Sequence, residues 1–191
     1  HYDPSREFVD LVEELVPSSW QLRRAGTWFT AVPPCSELPA QGWKLHVSTR
    51  TDDALAVLSD ILPILRDDNV WFKFLLDTRV TSMVNGKIWP RNSAGKFVTI
   101  YPTDDDQFHR LGTALSSRLS GYAGPYILSD RRWPGSKSVF YRYGGFRARP
   151  ALRVDGTRRM LIDGPGSEQV EDQRTPYWNP PSWVSDPLGS R

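Results

Sequence analysis

The sequence predicts an α+β fold in a single domain, with a central mostly antiparallel or mixed sheet, helices packed on it and an extended Pro-rich C-terminal arm. Three observations carry this. Strand-like segments such as "GWKLHVS" and "VWFKFLLD" alternate irregularly with helical stretches, without a regular βα repeat. From "GPYILSDRRWPGSKSVFYRYGGF" onward the chain reads as short strands and turns. At 191 residues it can bury one core without disulfides or a structural metal, and no repeat of fixed spacing divides it.

Each element has its own signal. Asp3 and Pro4 form an N-cap and first-turn pair for a helix with Phe8, Leu11, Val12 and Leu15 at helical spacing. "WQLRRAGTWFTAVPP" reads as a hairpin or two extended pieces around Ala25 and Gly26, and "SELPAQG" as a loop. The "GWKLHVS" strand follows. Thr51 caps an amphipathic helix through Leu55, Leu58, Ile61, Leu62 and Leu65, which Pro63 should kink or shorten. "NVWFKFLLD" is the next strand, "TRVTSMVNG" a short helix, and Lys96 to Tyr101 a strand fed by a Gly-containing loop. Thr103 with Asp106 opens a helix striped by Phe108, Leu111, Leu115 and Leu119, and Gly121 ends it. "RRMLIDGP" is a late strand. Residues 1–175 form the domain, and the aperiodic, proline-rich residues 176–191 a linker. The three central strands should pair into one sheet.

Composition excludes several classes of function. A net charge of +2, from 24 Lys and Arg against 22 Asp and Glu, gives no general attraction to nucleic acid or membrane, so any anion site is local. No apolar run approaches a membrane span. The lone Cys35 suits a reducing compartment, and the acidic, amphipathic N-terminus is unlike a signal peptide, so a cytoplasmic location is expected. A start at His1 rather than Met points to a fragment. No Cys/His cluster has metal-ligand spacing, His109 reads as solvated, and no phosphate-loop, dinucleotide or serine-hydrolase motif occurs.

The unusual feature is cations within apolar strands. In "GWKLHVSTR" Trp43, Leu45 and Val47 share one face, and Lys44, His46 and Ser48 the other. In "VWFKFLLD" Lys73 stands between Phe72 and Phe74. Each alone has an ordinary explanation, a polar outer face or a lysine that snorkels to solvent. Together, cations aimed from consecutive strands toward one sheet face would line an anion pocket. Arg91 adds a charge at a loop entrance. Arg142 adds one among Tyr141, Tyr143 and Phe146, where it could fork onto a phosphate or stack on the aromatics. A lysine whose pKa is lowered by cationic neighbours can act as a base, a histidine can protonate a leaving oxygen, and arginine can hold an anionic leaving group. That set suits removal of a proton beside a carbonyl with departure of phosphate.

"GWKLHVS", "FKFLLD", "PRNSAGKFVTIYP", "GPYILSDRRW" and "YRYGGF", in this order, resemble the N-terminal lyase domain of class III lanthipeptide synthetases, the LanKC enzymes. "PPSWVSDP" resembles the segment leading to the kinase domain of those enzymes, which is absent here. That family is in turn similar to bacterial effector phosphothreonine lyases. The resemblance implies that Lys73 removes the Cα proton of a phosphoserine or phosphothreonine, Lys44 stabilises the enolate-like oxygen and His46 protonates the departing phosphate. It assigns Arg91 and Arg142 to the phosphate and Tyr101 to the pocket edge. A further arginine is expected from among Arg132, Arg147 and Arg149, and Lys96 is a phosphate ligand or merely a neighbour. It also implies dehydroalanine or dehydrobutyrine as product, no metal or organic cofactor, and as partners a phosphorylated lanthipeptide precursor, core and leader, with the kinase and cyclase domains of a synthetase. Two other classes stand beside this reading: a phosphopeptide-binding module without catalysis, which would need only the arginines, and a single-stranded nucleic-acid binder, which the near-neutral charge fits poorly.

Overall fold

Period-two alternation decides which side chains meet across the sheet. The computed structural model describes residues 2–189; His1 and the last two residues of the linker, 190 and 191, lie outside the described residues. The elements are α1 (Glu7–Leu15), β1 (Gln21–Ala25), β2 (Trp28–Val32), β3 (Gln41–Val47), α2 (Ala54–Asp67, after a 3₁₀ turn at Thr51–Asp53), β4 (Trp71–Leu75), α3 (Thr78–Asn85) and β5 (Val98–Tyr101). α4 (Asp105–Arg118), β6 (Arg131–Arg132), β7 (Val139–Gly145), β8 (Pro150–Leu152), β9 (Arg158–Asp163) and β10 (Gln169–Glu171) complete them. Seven strands pair antiparallel in the order β1-β2-β4-β5-β3-β7-β6, and β10-β9-β8 form a smaller antiparallel sheet. The fold is α+β, and the three central strands are neighbours. No helix of the described residues is long and apolar enough to cross a membrane.

One face of the large sheet is the core. Trp43, Leu45, Phe72, Phe74, Val98, Ile100 and Tyr141 are all buried there, and Phe108 of α4 sets its ring against Trp43 and Tyr141. The small sheet is tied to β3 by Gln41, whose amide donates to the Asp163 carbonyl (2.8 Å) and accepts from the Asp163 N–H (2.6 Å). The opposite face of the central strands is where the cations lie.

Several helix starts differ from the sequence expectation. Asp3 and Pro4 precede α1 rather than opening it, because the chain at Ser5 is held by its N–H donating to Asp77 (3.0 Å). Asp77 is the N-cap of α3, accepting from Val80 N–H at 2.8 Å. α4 is capped by Asp104, one residue after Thr103. Asp104 accepts the Gln107 N–H (2.7 Å) while the Gln107 side chain accepts the Thr103 N–H (2.8 Å), a reciprocal pair that satisfies two end donors. Pro63 lies inside α2, which continues one further turn to Asp67. Residues 176–189 contain neither helix nor strand. Trp178 nevertheless stacks on Trp43 (centroids 5.9 Å apart), and Asp186 accepts the Tyr141 hydroxyl at 3.0 Å.

Candidate active site

Register converts scattered residues into a row. Lys73 of β4 pairs with Thr99 of β5, Thr99 with His46 of β3, and His46 with Phe140 of β7; one step along β3, Lys44 pairs with Arg142. Lys73 and His46 therefore flank Thr99, about 10 Å apart at the backbone from strand spacing, and Lys44 lies about 7 Å along β3 from His46. Long side chains close those gaps. The face opens into a cavity of about 440 Å³ lined by Trp28, Lys44, His46, Lys73, Thr99 and Arg142 from the sheet, by Pro90, Asn92, Ser93 and Lys96 from the loop before β5, and by Arg174 from the chain after β10. Its charged lining is cationic throughout, in a protein whose net charge is only +2.

Burial lowers the pKa of each lysine of the cavity and of its histidine. Lys73, with its ammonium 4.4 Å from the Trp28 ring centroid, is brought down to about 8 by burial and by the charges of Arg174 and Lys96. Burial likewise lowers Lys96 to about 8, against the pull of Asp130. Lys44, buried and facing Arg142, is held well below the ordinary lysine range. His46 is lowered by burial, only partly offset by Asp130, whose carboxylate contacts Nδ1. Burial alone would raise the Asp130 carboxyl, but the charge and hydrogen bond of His46, with Lys96, keep it ionised. With Nδ1 donating to Asp130, Nε2 is the ring nitrogen left for the cavity. The second Asp130 oxygen accepts from Ser129 Oγ (2.7 Å) and lies 3.9 Å from the Lys96 ammonium.

Arg142 is fixed by charge rather than by stacking. Its Nη2 donates to Asp172 (3.0 Å) and to the Gln173 carbonyl (2.9 Å). Tyr141 and Tyr143 point to the other face, since neighbours in a strand alternate, so the stacked environment expected for Arg142 does not form on them.

Of the residues named from the sequence, the structure brings Lys44, His46, Lys73, Lys96 and Arg142 to the cavity. Arg91 is exposed on the loop whose neighbours Pro90 and Asn92 line it. Tyr101 is buried at the next step along the same face of β5, its ring edge-on to Phe146 (5.1 Å), and burial pushes its hydroxyl pKa up. Arg132 lies at the sheet edge over the Tyr126 ring (5.0 Å), Arg147 donates to the Leu38 carbonyl (2.7 Å), and Arg149 pairs with Asp163 (2.7 Å). Sequence reasoning missed Asp130, Asp172 and Arg174. Asp130 stands inside the quoted "GPYILSDRRW", but its contact with His46 spans 84 positions, which no local pattern reports. Among the described residues no cluster of three or more His, Cys, Asp or Glu could hold a metal ion.

A family described as RamC, N-terminal domain, matches residues 8–191. The probable SapB synthase of Streptomyces coelicolor is 41% identical over 172 residues, 90% of this chain but 18% of that protein, so the chain spans less than a fifth of that relative. The type III effector/phosphothreonine lyase OspF from Shigella flexneri superposes with a TM-score of 0.55 at 19% identity, over 74% of this chain and 77% of its own. The phosphothreonine lyase SpvC, an effector protein from Salmonella, does so with a TM-score of 0.54 at 17% identity, over 72% and 87%. The two structures share this fold.

Proposed function

Because the chain belongs to the RamC N-terminal domain family, we propose that it is a phosphoserine/phosphothreonine lyase that eliminates phosphate from a phosphorylated lanthipeptide precursor. One observation carries the reading: a lysine poised as base, a histidine with an orienting carboxylate and a set of further cations converge on one buried sheet face. A phosphopeptide binder would need the cations, but not a lysine near neutrality or the His46–Asp130 pair.

In this mechanism the phosphate of the substrate residue enters among Lys44, Lys96 and Arg142. Its negative charge draws Lys44 and His46 back toward their protonated forms, reversing the effect of burial on both. Neutral Lys73 takes the Cα proton, and the electron pair spreads onto the neighbouring carbonyl oxygen, where the Lys44 ammonium stabilises it. That pair then forms the Cα=Cβ bond as the Cβ–O bond breaks. The bonding electrons leave with phosphate, which receives its proton from His46 Nε2. The products are dehydroalanine or dehydrobutyrine and free phosphate. Asp130 keeps the imidazole in the orientation and tautomer that present Nε2, and it steadies the imidazolium before transfer. Phosphorylation and cyclisation would belong to the kinase and cyclase domains of a synthetase.

The test is to incubate the protein with a phosphoserine peptide and follow loss of phosphoric acid by mass spectrometry. Lys73→Ala should lower the rate at least ~10²-fold while phosphopeptide binding survives. At saturating substrate, where the bound phosphate keeps Lys44 and His46 protonated, the rate should rise with pH as Lys73 loses its proton, because only the neutral lysine is a base. A bound but unchanged peptide would leave the binding-module reading in its place.

A further inference from the structure

The chain immediately after β10 is clamped between the two walls of the cavity. Asp172, buried, accepts from Arg142 at 3.0 Å and from the Gly145 N–H at 3.2 Å, and the Gln173 carbonyl accepts from Arg142 at 2.9 Å. The paired glycines of "YRYGGF" make room for this: a Cβ on Gly144 would stand 3.1 Å from both Asp172 oxygens. On the other wall the Asn92 side chain donates to the Arg174 carbonyl at 3.2 Å. The backbone on which Arg174 sits is thus tied to β7 and to the loop before β5.

The Arg174 side chain itself has no comparable anchor. It lines the cavity half-exposed, and its nearest carboxylate, Asp172, is 4.0 Å away and already engaged by Arg142. Its charge is felt by Lys44, Lys73 and Lys96 together. A rigidly based arginine left without a bidentate partner, facing three lysines that repel it, is arranged for an anion that comes from outside. We propose that Arg174 is a specificity residue of the substrate site, forking its guanidinium onto the phosphate of the phosphorylated residue. This rests on the lyase reading for the identity of that phosphate, and it places the further arginine on the segment after β10 rather than at Arg132, Arg147 or Arg149, which are engaged elsewhere.

The experiment compares the native chain with Arg174→Ala and Arg174→Lys. It uses a phosphoserine peptide as substrate, inorganic phosphate as competitor, and calorimetric binding of the phosphorylated and unphosphorylated peptide. Arg174→Ala should raise KM and weaken phosphate inhibition about tenfold or more, with a smaller change in kcat, and Arg174→Lys should recover part of the loss. The rising limb of the pH–rate profile should also move to higher pH in Arg174→Ala and return in Arg174→Lys, because one cation facing Lys73 is removed while Lys44 and His46 of β3, Lys96 and Arg142 remain. Unmelted protein, checked by thermal unfolding, with unchanged KM and phosphate inhibition overturns the assignment even if the native chain eliminates phosphate. If the native chain binds the phosphopeptide without eliminating and Arg174→Ala weakens that binding, the lyase reading fails and Arg174 stands. If the native chain neither eliminates nor binds, both fall.

Discussion

Lys73, Lys96 and Lys44 occupy positions where an apolar side chain would make a more stable protein, since each carries its charge into a low-dielectric site crowded with like charge. The cost can be measured as a pH dependence of stability. Unfolded, a lysine keeps its proton to its ordinary value near 10.5; folded, Lys73 and Lys96 release theirs near 8. Between those values the unfolded chain binds more protons, so raising the pH favours the folded state. Urea unfolding at pH 7, 8 and 9 should show stability increasing with pH, and a Lys73→Met, Lys96→Met variant should reduce that slope to the part that Lys44 contributes. The lysines and His46 were legible in the sequence because a cation at one position of an otherwise apolar strand breaks a simple pattern. Asp130 and Asp172 were not, because each acquires its meaning from a partner on another strand, 84 and 30 positions away.

Elements were legible where periodicity is long, and their ends were displaced where a tertiary contact competes for the capping group. Asp77, drawn to Ser5 and Val80 together, fixes where α3 begins and why α1 starts late. Gly112, in the middle of α4, looks from the sequence like a weak point in a helix. It is a packing site: a Cβ there would stand 2.2 Å from the Trp133 ring, whose indole lies against Phe108 and Tyr141. Gly112→Ala gains up to ~1 kcal/mol of helix propensity and forces an overpacked core that costs ~1–3 kcal/mol. We therefore expect a net loss of roughly 0–2 kcal/mol, read as a Tm lower by up to about 8 °C. A rise in Tm would show that Trp133 moves aside freely.

At the scale of the whole molecule, the two sheets and the chain after β10 are one folded unit around the site. The small sheet delivers residues 172–174 to the cavity, and the irregular chain beyond it lays Trp178 on Trp43 and Tyr141 and binds Asp186 to Tyr141. Val184 and Leu188 pack on the same core. A chain ended after residue 175 would keep every cavity residue named above but uncover Trp43 and Tyr141. Trp178 is only partly buried, so loss of its contacts should cost roughly 1–2 kcal/mol, and thermal unfolding should show a Tm lower by several degrees. An unchanged Tm would mean that residues 176–189 add nothing to the fold.

The sequence by itself determined the α+β class, the pairing of the central strands, and the face to which Lys44, His46 and Lys73 point. These follow from side-chain alternation and helical periodicity, which are properties of neighbours along the chain. Only the tertiary structure decided that Arg142 is held by Asp172 instead of aromatics, that His46 rests on Asp130, and that Arg174 overlooks the cavity. Those pairings depend on which distant segments a low-dielectric site forces together, because a buried charge must find a partner wherever the fold brings one within reach.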